Sequence, residues 1–120
     1  MMIMMIFLMI SLMNKMSKII THFFYYSYYI IGEIMNIYLK DLKPDYNVID
    51  IRDTYSYSLD HYKNAINIPM NILLTYPSRF LNKNSVYYIY CTSGSRSKKT
   101  CELLSILGYN VINVVDGFGK

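Results

Sequence analysis

A chain of 120 residues is long enough for one small domain and short for two. Its two cysteines exclude a disulfide framework and, with no histidine cluster beside them, a zinc site. Twelve basic residues against eight acidic ones give a mildly positive chain. The positives are scattered apart from Arg96, Lys98 and Lys99, which does not make a nucleic-acid footprint, so no nucleic-acid partner is expected.

The composition changes near Gly32. Before it stand only two charges, Lys15 and Lys18. The opening "MMIMMIFLMISLM" has the hydropathy of a signal-peptide core, but no basic residues precede it and no small-residue cleavage site follows it. Its 13 residues also fall short of the roughly 20 that a spanning helix needs. Three readings stand for residues 1–32: a membrane tether, single or hairpin-like; upstream translation before a start at Met16 or Met35; or a helix packed on the domain. The expected division is an apolar segment over residues 1–32 and a domain over 33–120, cytoplasmic or tethered to a membrane by that segment.

In chain order, "YNVIDIRD" (Tyr46–Asp53) has a β-branched centre and reads as a buried strand ending in polar residues. "YSYSLDHYKN" (Tyr55–Asn64) reads as a short helix or turn, and "AINIP" (Ala65–Pro69) as a short strand closed by proline. "MNILLTYPSRFL" (Met70–Leu81) reads as a helix interrupted before Pro77. "SVYYIY" (Ser85–Tyr90) is apolar or aromatic on both faces, as a central parallel strand requires. From Arg96 to Leu107 the pattern is helical, with Thr100, Leu103, Leu104 and Leu107 on one face and Lys98, Glu102 and Ser105 opposite. Gly108 suits a C-cap, and "VINVV" (Val111–Val115) is a further strand. Alternating strands and helices imply an α/β fold, a parallel sheet with helices on both sides. Ligands of such sheets sit at the carboxyl ends of strands beside helix N-termini, and Cys91 falls there.

A free thiol titrates near pH 8.5, and the thiolate is the reactive form. Three features are expected to lower the value for Cys91: the positive end of the following helix, a turn from Thr92 to Arg96 whose N–H groups curl inward around an anion, and the charge of Arg96. Gly94 allows the backbone that such a turn needs. Thr92, Ser93, Gly94, Ser95, Arg96 and Ser97 are therefore the expected substrate-binding loop around a catalytic Cys91. Cys101, beside the apolar helix face with no activating neighbour, is expected to be inert. Lys98 and Lys99 are expected to be solvated charges.

The order and spacing of several short motifs from about Met35 onward resemble the rhodanese (thiosulfate sulfurtransferase) family, as a single-domain member. They are "VIDIRD", "HYKNAINIP", "YCTSGSRS" and "ELLSILGYNVINVVDGF". The resemblance implies a rhodanese-like, mainly parallel five-stranded sheet flanked by helices and a persulfide formed on Cys91. It also implies loop-supporting roles for Asp50 and Arg52, against the alternative of an ordinary surface ion pair. It implies no metal and no cofactor. The donor would be thiosulfate or another persulfide, and the acceptor cyanide, a small thiol or a protein thiol. Protein tyrosine phosphatases place five residues between cysteine and arginine. Only four lie between Cys91 and Arg96, a tighter ring that suits sulfur carried on Sγ better than a phosphoryl group. A phosphatase or arsenate reductase is thus the less favoured enzyme reading. A persulfide carrier or interaction module without turnover of its own is the alternative outside enzymes. His61 is expected to be a turn residue bonded to backbone. Asp60 stands where the family often has glycine, and Asn64 replaces a turn glycine while tolerating left-handed backbone. The family's Gly-Gly and closing helix do not follow Gly117, which is expected to uncover part of one sheet face.

Overall fold

The computed structural model describes residues 3–6 and 34–119. The chain divides into two compact units, Met1–Glu33 and Ile34–Lys120, and the second carries all that follows. Among the described residues no helix is long and apolar enough to cross a membrane. The three readings of residues 1–32 fall almost wholly outside the described residues.

The second unit is built on five strands: β1 (Asn36–Ile37), β2 (Asn47–Asp50), β3 (Ile66–Asn67), β4 (Val86–Tyr90) and β5 (Asn110–Val114). Their order across the sheet is β1-β5-β4-β2-β3, and every neighbouring pair is parallel. A short 3-10 helix (Leu39–Asp41) and four α-helices connect them: α1 (Thr54–Leu59), α2 (Met70–Thr75), α3 (Pro77–Phe80) and α4 (Ser95–Ile106). The pleat of the central strand sends successive side chains to opposite faces. Ile89 and Cys91 join one apolar cluster with Leu73 of α2 and Cys101 and Leu104 of α4. Tyr90 joins the other with Val48, Ala65 and Val114, and Tyr57 of α1 packs against it. Both faces of the sheet are therefore covered, as an all-parallel sheet needs.

Several elements differ from the sequence expectation. β1 was not expected; two residues are too few to show a period, and its place is set by pairing with Asn113 and Val114. The strand expected over Ala65–Pro69 shortens to Ile66–Asn67, because Pro69 already caps α2. The Met70–Leu81 helix, by contrast, is interrupted before Pro77 as expected, into α2 and α3. Tyr76 leaves the helical region (φ −129°, ψ 54°) because the ring of Pro77 disfavours helical backbone in the residue before it, and Pro77 then opens α3. Helix α4 starts one residue early, and its buried face is Ser97, Thr100, Cys101 and Leu104. Leu107 is half exposed, at 50%. The four leucine and threonine positions marked the apolar stripe, but the helix is rotated so that small polar residues of its first turns meet the end of β4. Asn64 does not use left-handed backbone, since among the described residues only glycines have positive φ. Its side-chain amide instead donates to the Pro44 carbonyl at 3.1 Å.

Candidate active site

The site is assembled where β4 runs out. The ladder continues one step past Tyr90, whose carbonyl accepts from Ile51 N–H at 3.1 Å. The chain then leaves the sheet at Cys91 and turns through Thr92 and Ser93 to Gly94, the N-cap of α4. Gly94 has φ 89°, and a Cβ there would run into the carbonyl of Val115. Glycine is thus required twice, by the left-handed backbone and by the close approach of β5's end.

The turn aims its N–H groups at sulfur. Gly94 N–H donates to Cys91 Sγ at 3.2 Å and Ser97 N–H at 3.3 Å, with Ser97 Oγ at 3.4 Å. Burial of the thiol, 2% exposed, opposes ionisation. It is outweighed by the Ser97 hydroxyl and the N–H groups of Ser97, Ser93 and Gly94, so the Cys91 pKa is lowered. The inward-curling turn and the helix end are as expected. Arg96 is exposed on the loop rim, along with Thr92, Ser93 and Ser95, and is not among the leading causes of the shift. Lys98 and Lys99 are exposed. Cys101 is fully buried, and burial first, then the Glu102 charge, pushes its thiol up to about 12. It is therefore protonated at any physiological pH.

Asp50 and Arg52 are not a surface pair. They are 0% and 7% exposed, and Arg52 Nη2 lies 2.8 Å from Asp50 Oδ2, with Arg52 Nε donating to both carboxylate oxygens at 3.1 Å. Arg52 Nη2 also donates to the Asp60 carbonyl at 2.7 Å. The guanidinium lies 5.6 Å from the Tyr90 ring centroid and 5.2 Å from that of Phe118. The pair reaches the cysteine loop through those rings rather than by a hydrogen bond of its own. His61 Nδ1 donates to the Tyr57 carbonyl at 2.7 Å, which makes it the backbone-bonded turn residue expected.

Three contributors were not singled out from sequence. Phe118 N–H donates to the Cys91 carbonyl at 2.9 Å, and Gly117 (φ 65°) packs so closely on Thr92 that a Cβ would run into its carbonyl. Asn113, 1% exposed on β5, accepts from the Ser97 hydroxyl at 2.6 Å. A polar residue inside "VINVV" was the available signal for Asn113. Among the described residues no cluster of three or more potential metal ligands occurs.

A parallel sheet of order β1-β5-β4-β2-β3 with a cysteine cradled between β4 and α4 defines the class, and the chain belongs to the family of the rhodanese-like domain, whose model matches residues 36–120. A rhodanese-like domain protein from Staphylococcus aureus is similar in structure, with a TM-score of 0.54 and 35% identity over 64% of this chain and 74% of that one. The tRNA uridine(34) hydroxylase of Wolbachia sp. subsp. Brugia malayi is 35% identical over 79 residues, 62% of this chain and 29% of that protein. The adenylyltransferase and sulfurtransferase uba4 of Ogataea parapolymorpha is 32% identical over 71 residues, 58% of this chain and 18% of that protein. The chain thus matches less than a third of the length of these two relatives.

Proposed function

We propose that the domain transfers sulfane sulfur through a persulfide on Cys91. The observation that carries this reading is the convergence of Gly94 and Ser97 N–H groups on Sγ itself, 3.2 and 3.3 Å away, inside a four-residue turn. Such donors stabilise a sulfur anion, as oxyanion-hole donors stabilise oxygen. In the first step Cys91 thiolate attacks the outer sulfur of thiosulfate. A new S–S bond forms, the old one breaks, and sulfite leaves with the electron pair. In the second, cyanide or a thiolate attacks the outer sulfur of the persulfide, and Cys91 leaves as thiolate. Splitting the transfer in two is covalent catalysis. The sulfurtransferase name of one relative agrees with this chemistry, and the tRNA hydroxylase name of another leaves the donor and acceptor to experiment.

One observation favours the carrier reading beside it. Cys91 is only 2% exposed, so a bulky acceptor reaches the sulfur only by fitting the loop rim of Thr92, Ser93, Ser95 and Arg96. A dedicated partner would then be needed for turnover. The phosphatase reading is weaker, because the N–H groups are aimed at the cysteine sulfur and the turn is one residue short of the phosphatase spacing.

The test is turnover of thiosulfate with cyanide by the parent protein, Cys91→Ser and Cys101→Ser, beside hydrolysis of an aryl phosphate. Thiocyanate formation by the parent and Cys101→Ser but not Cys91→Ser supports sulfur transfer. Sulfur uptake with negligible thiocyanate supports the carrier, and faster aryl phosphate hydrolysis than desulfuration overturns both.

A further inference from the structure

Behind the thiol lies a chain of three side chains. The Cys91 thiol donates to Ser97 Oγ at 3.4 Å, and the Ser97 hydroxyl donates to Asn113 Oδ1 at 2.6 Å. Asn113 Nδ2 donates onward to the Gly94 carbonyl at 3.2 Å and to Asn36 Oδ1 at 3.4 Å. Those two acceptors fix the amide's orientation, since turning it over would set Oδ1 against two other oxygens. Ser97 and Asn113 are 0% and 1% exposed, so solvent does not substitute for a lost partner.

This arrangement fits a thiol and not a thiolate. A thiolate has no proton to give Ser97 Oγ, and a hydroxyl still turned toward Asn113 presents its lone pair to the negative sulfur. The hydroxyl must rotate to donate to Sγ, and Asn113 Oδ1 then loses its donor. A buried acceptor without a donor is costly. One proton therefore serves two acceptors in turn.

We propose that Asn113 is a positioning residue whose carboxamide oxygen competes with the Cys91 sulfur for the single hydroxyl proton of Ser97, and so sets how readily Cys91 becomes a thiolate. The backbone N–H groups of Gly94 and Ser97 serve the sulfur in either state, so the competition rests on the hydroxyl alone. The other titratable or charged groups on the elements around the thiol are Cys101, Glu102, Arg96, Lys98 and Lys99 on α4, Asp50 at the end of β2 with Arg52 just after it, Tyr87, Tyr88 and Tyr90 on β4 and Asp116 after β5. Cys101 shares the apolar cluster of Cys91; the hydrogen-bond donors to the Cys91 sulfur are the Gly94 and Ser97 N–H groups. The inference rests on the sulfur-transfer reading only in treating the thiolate as the working form. On that reading a persulfide moves the charge to the outer sulfur, the Ser97 proton returns to Asn113, and the amide favours the loaded cysteine over the free thiolate.

The experiment follows the pH dependence of iodoacetamide alkylation at Cys91, located by peptide mass, in the full chain. Ser97→Ala is expected to raise the midpoint, because the thiolate loses a donor. Asn113→Leu is expected to lower it by about one pH unit, because the hydroxyl is freed for sulfur. In the Ser97→Ala background Asn113→Leu is expected to leave it unchanged. A midpoint that falls or stays in Ser97→Ala would show that the hydroxyl does not turn to sulfur and would overturn the inference, even if Asn113→Leu does not fold. Equal shifts from Asn113→Leu with and without the hydroxyl would also overturn it, placing the effect in loop shape through Gly94. Alkylation that follows the expected pattern in a protein without sulfur uptake would sustain this inference and sink the proposed function.

Discussion

The Phe118 N–H donates to the Cys91 carbonyl at 2.9 Å, so the turn after β5 holds the strand end that presents the thiol. The Phe118 ring lies 5.5 Å from that of Tyr90, on the face opposite α4, and Gly117 closes against Thr92. Gly117→Ala is expected to destabilise the domain by about 1 kcal/mol or more, since its φ of 65° is left-handed and its Cβ would also stand 2.7 Å from the Cys91 carbonyl oxygen. Denaturant unfolding measures the loss. Alkylation of Cys91 under native conditions should change with it, whereas an equally destabilising substitution far from the loop should leave alkylation as it was.

Asp50 and Arg52 make a buried pair, and removing one partner strands the other's charge. Arg52→Ala is expected to cost about 3–5 kcal/mol, with Asp50→Ala of similar size. The double replacement Asp50→Leu with Arg52→Met should cost less than the sum of the two single changes. Additive losses in urea melts would show that the two side chains act independently, contrary to their 2.8 Å contact.

Much of this arrangement was legible beforehand, for local reasons. Residues 86–90 carry apolar and aromatic side chains on both faces, which only a central parallel strand uses, and the cysteine, small-residue turn, arginine and helix follow without a gap. Chemistry encoded within six consecutive residues shows in one dimension. The burial of Asp50 with Arg52 does not, because it depends on Tyr90 and Phe118 arriving from elsewhere in the chain. Asn113 was missed for the same reason: its partners Ser97, Gly94 and Asn36 are brought to it by the pairing of β1 with β5 and the return of α4. The α4 face was legible in part: Thr100 and Leu104 are buried as the pattern expects, but Leu107 is half exposed and Ser97, too small and polar to mark the stripe, meets the core.

Arg96 stands exposed at the rim of the loop. Arg96→Ala is expected to slow sulfur uptake from thiosulfate more than from a neutral persulfide donor. An anion nearing a thiolate meets like charge, and the guanidinium offsets it. Added salt should reproduce part of the loss in the parent protein. Equal losses for charged and neutral donors would mean that Arg96 shapes the loop instead.

Cys101 gives an alkaline signature of stability. Its thiol is pushed up to about 12 in the folded protein, from 9.0. An acid with a raised folded pKa contributes stability that is fully present below the unfolded value and is lost as pH rises toward the folded one. Between pH 9 and 12 the parent should therefore lose stability more steeply than Cys101→Ser, whatever their difference at neutral pH. Parallel curves in denaturant melts across that window would show that the thiol ionises freely in the folded state.

The central claim is that Cys91 takes up one sulfur atom and gives it back. Intact mass of the full chain after thiosulfate treatment at neutral pH measures this directly. The account predicts a gain of about one sulfur mass at Cys91, absent in Cys91→Ser and removed by cyanide, because a thiolate and not a hydroxyl is the competent nucleophile there. An unchanged mass in protein whose Cys91 alkylates readily, or an equal gain in Cys91→Ser, would contradict it.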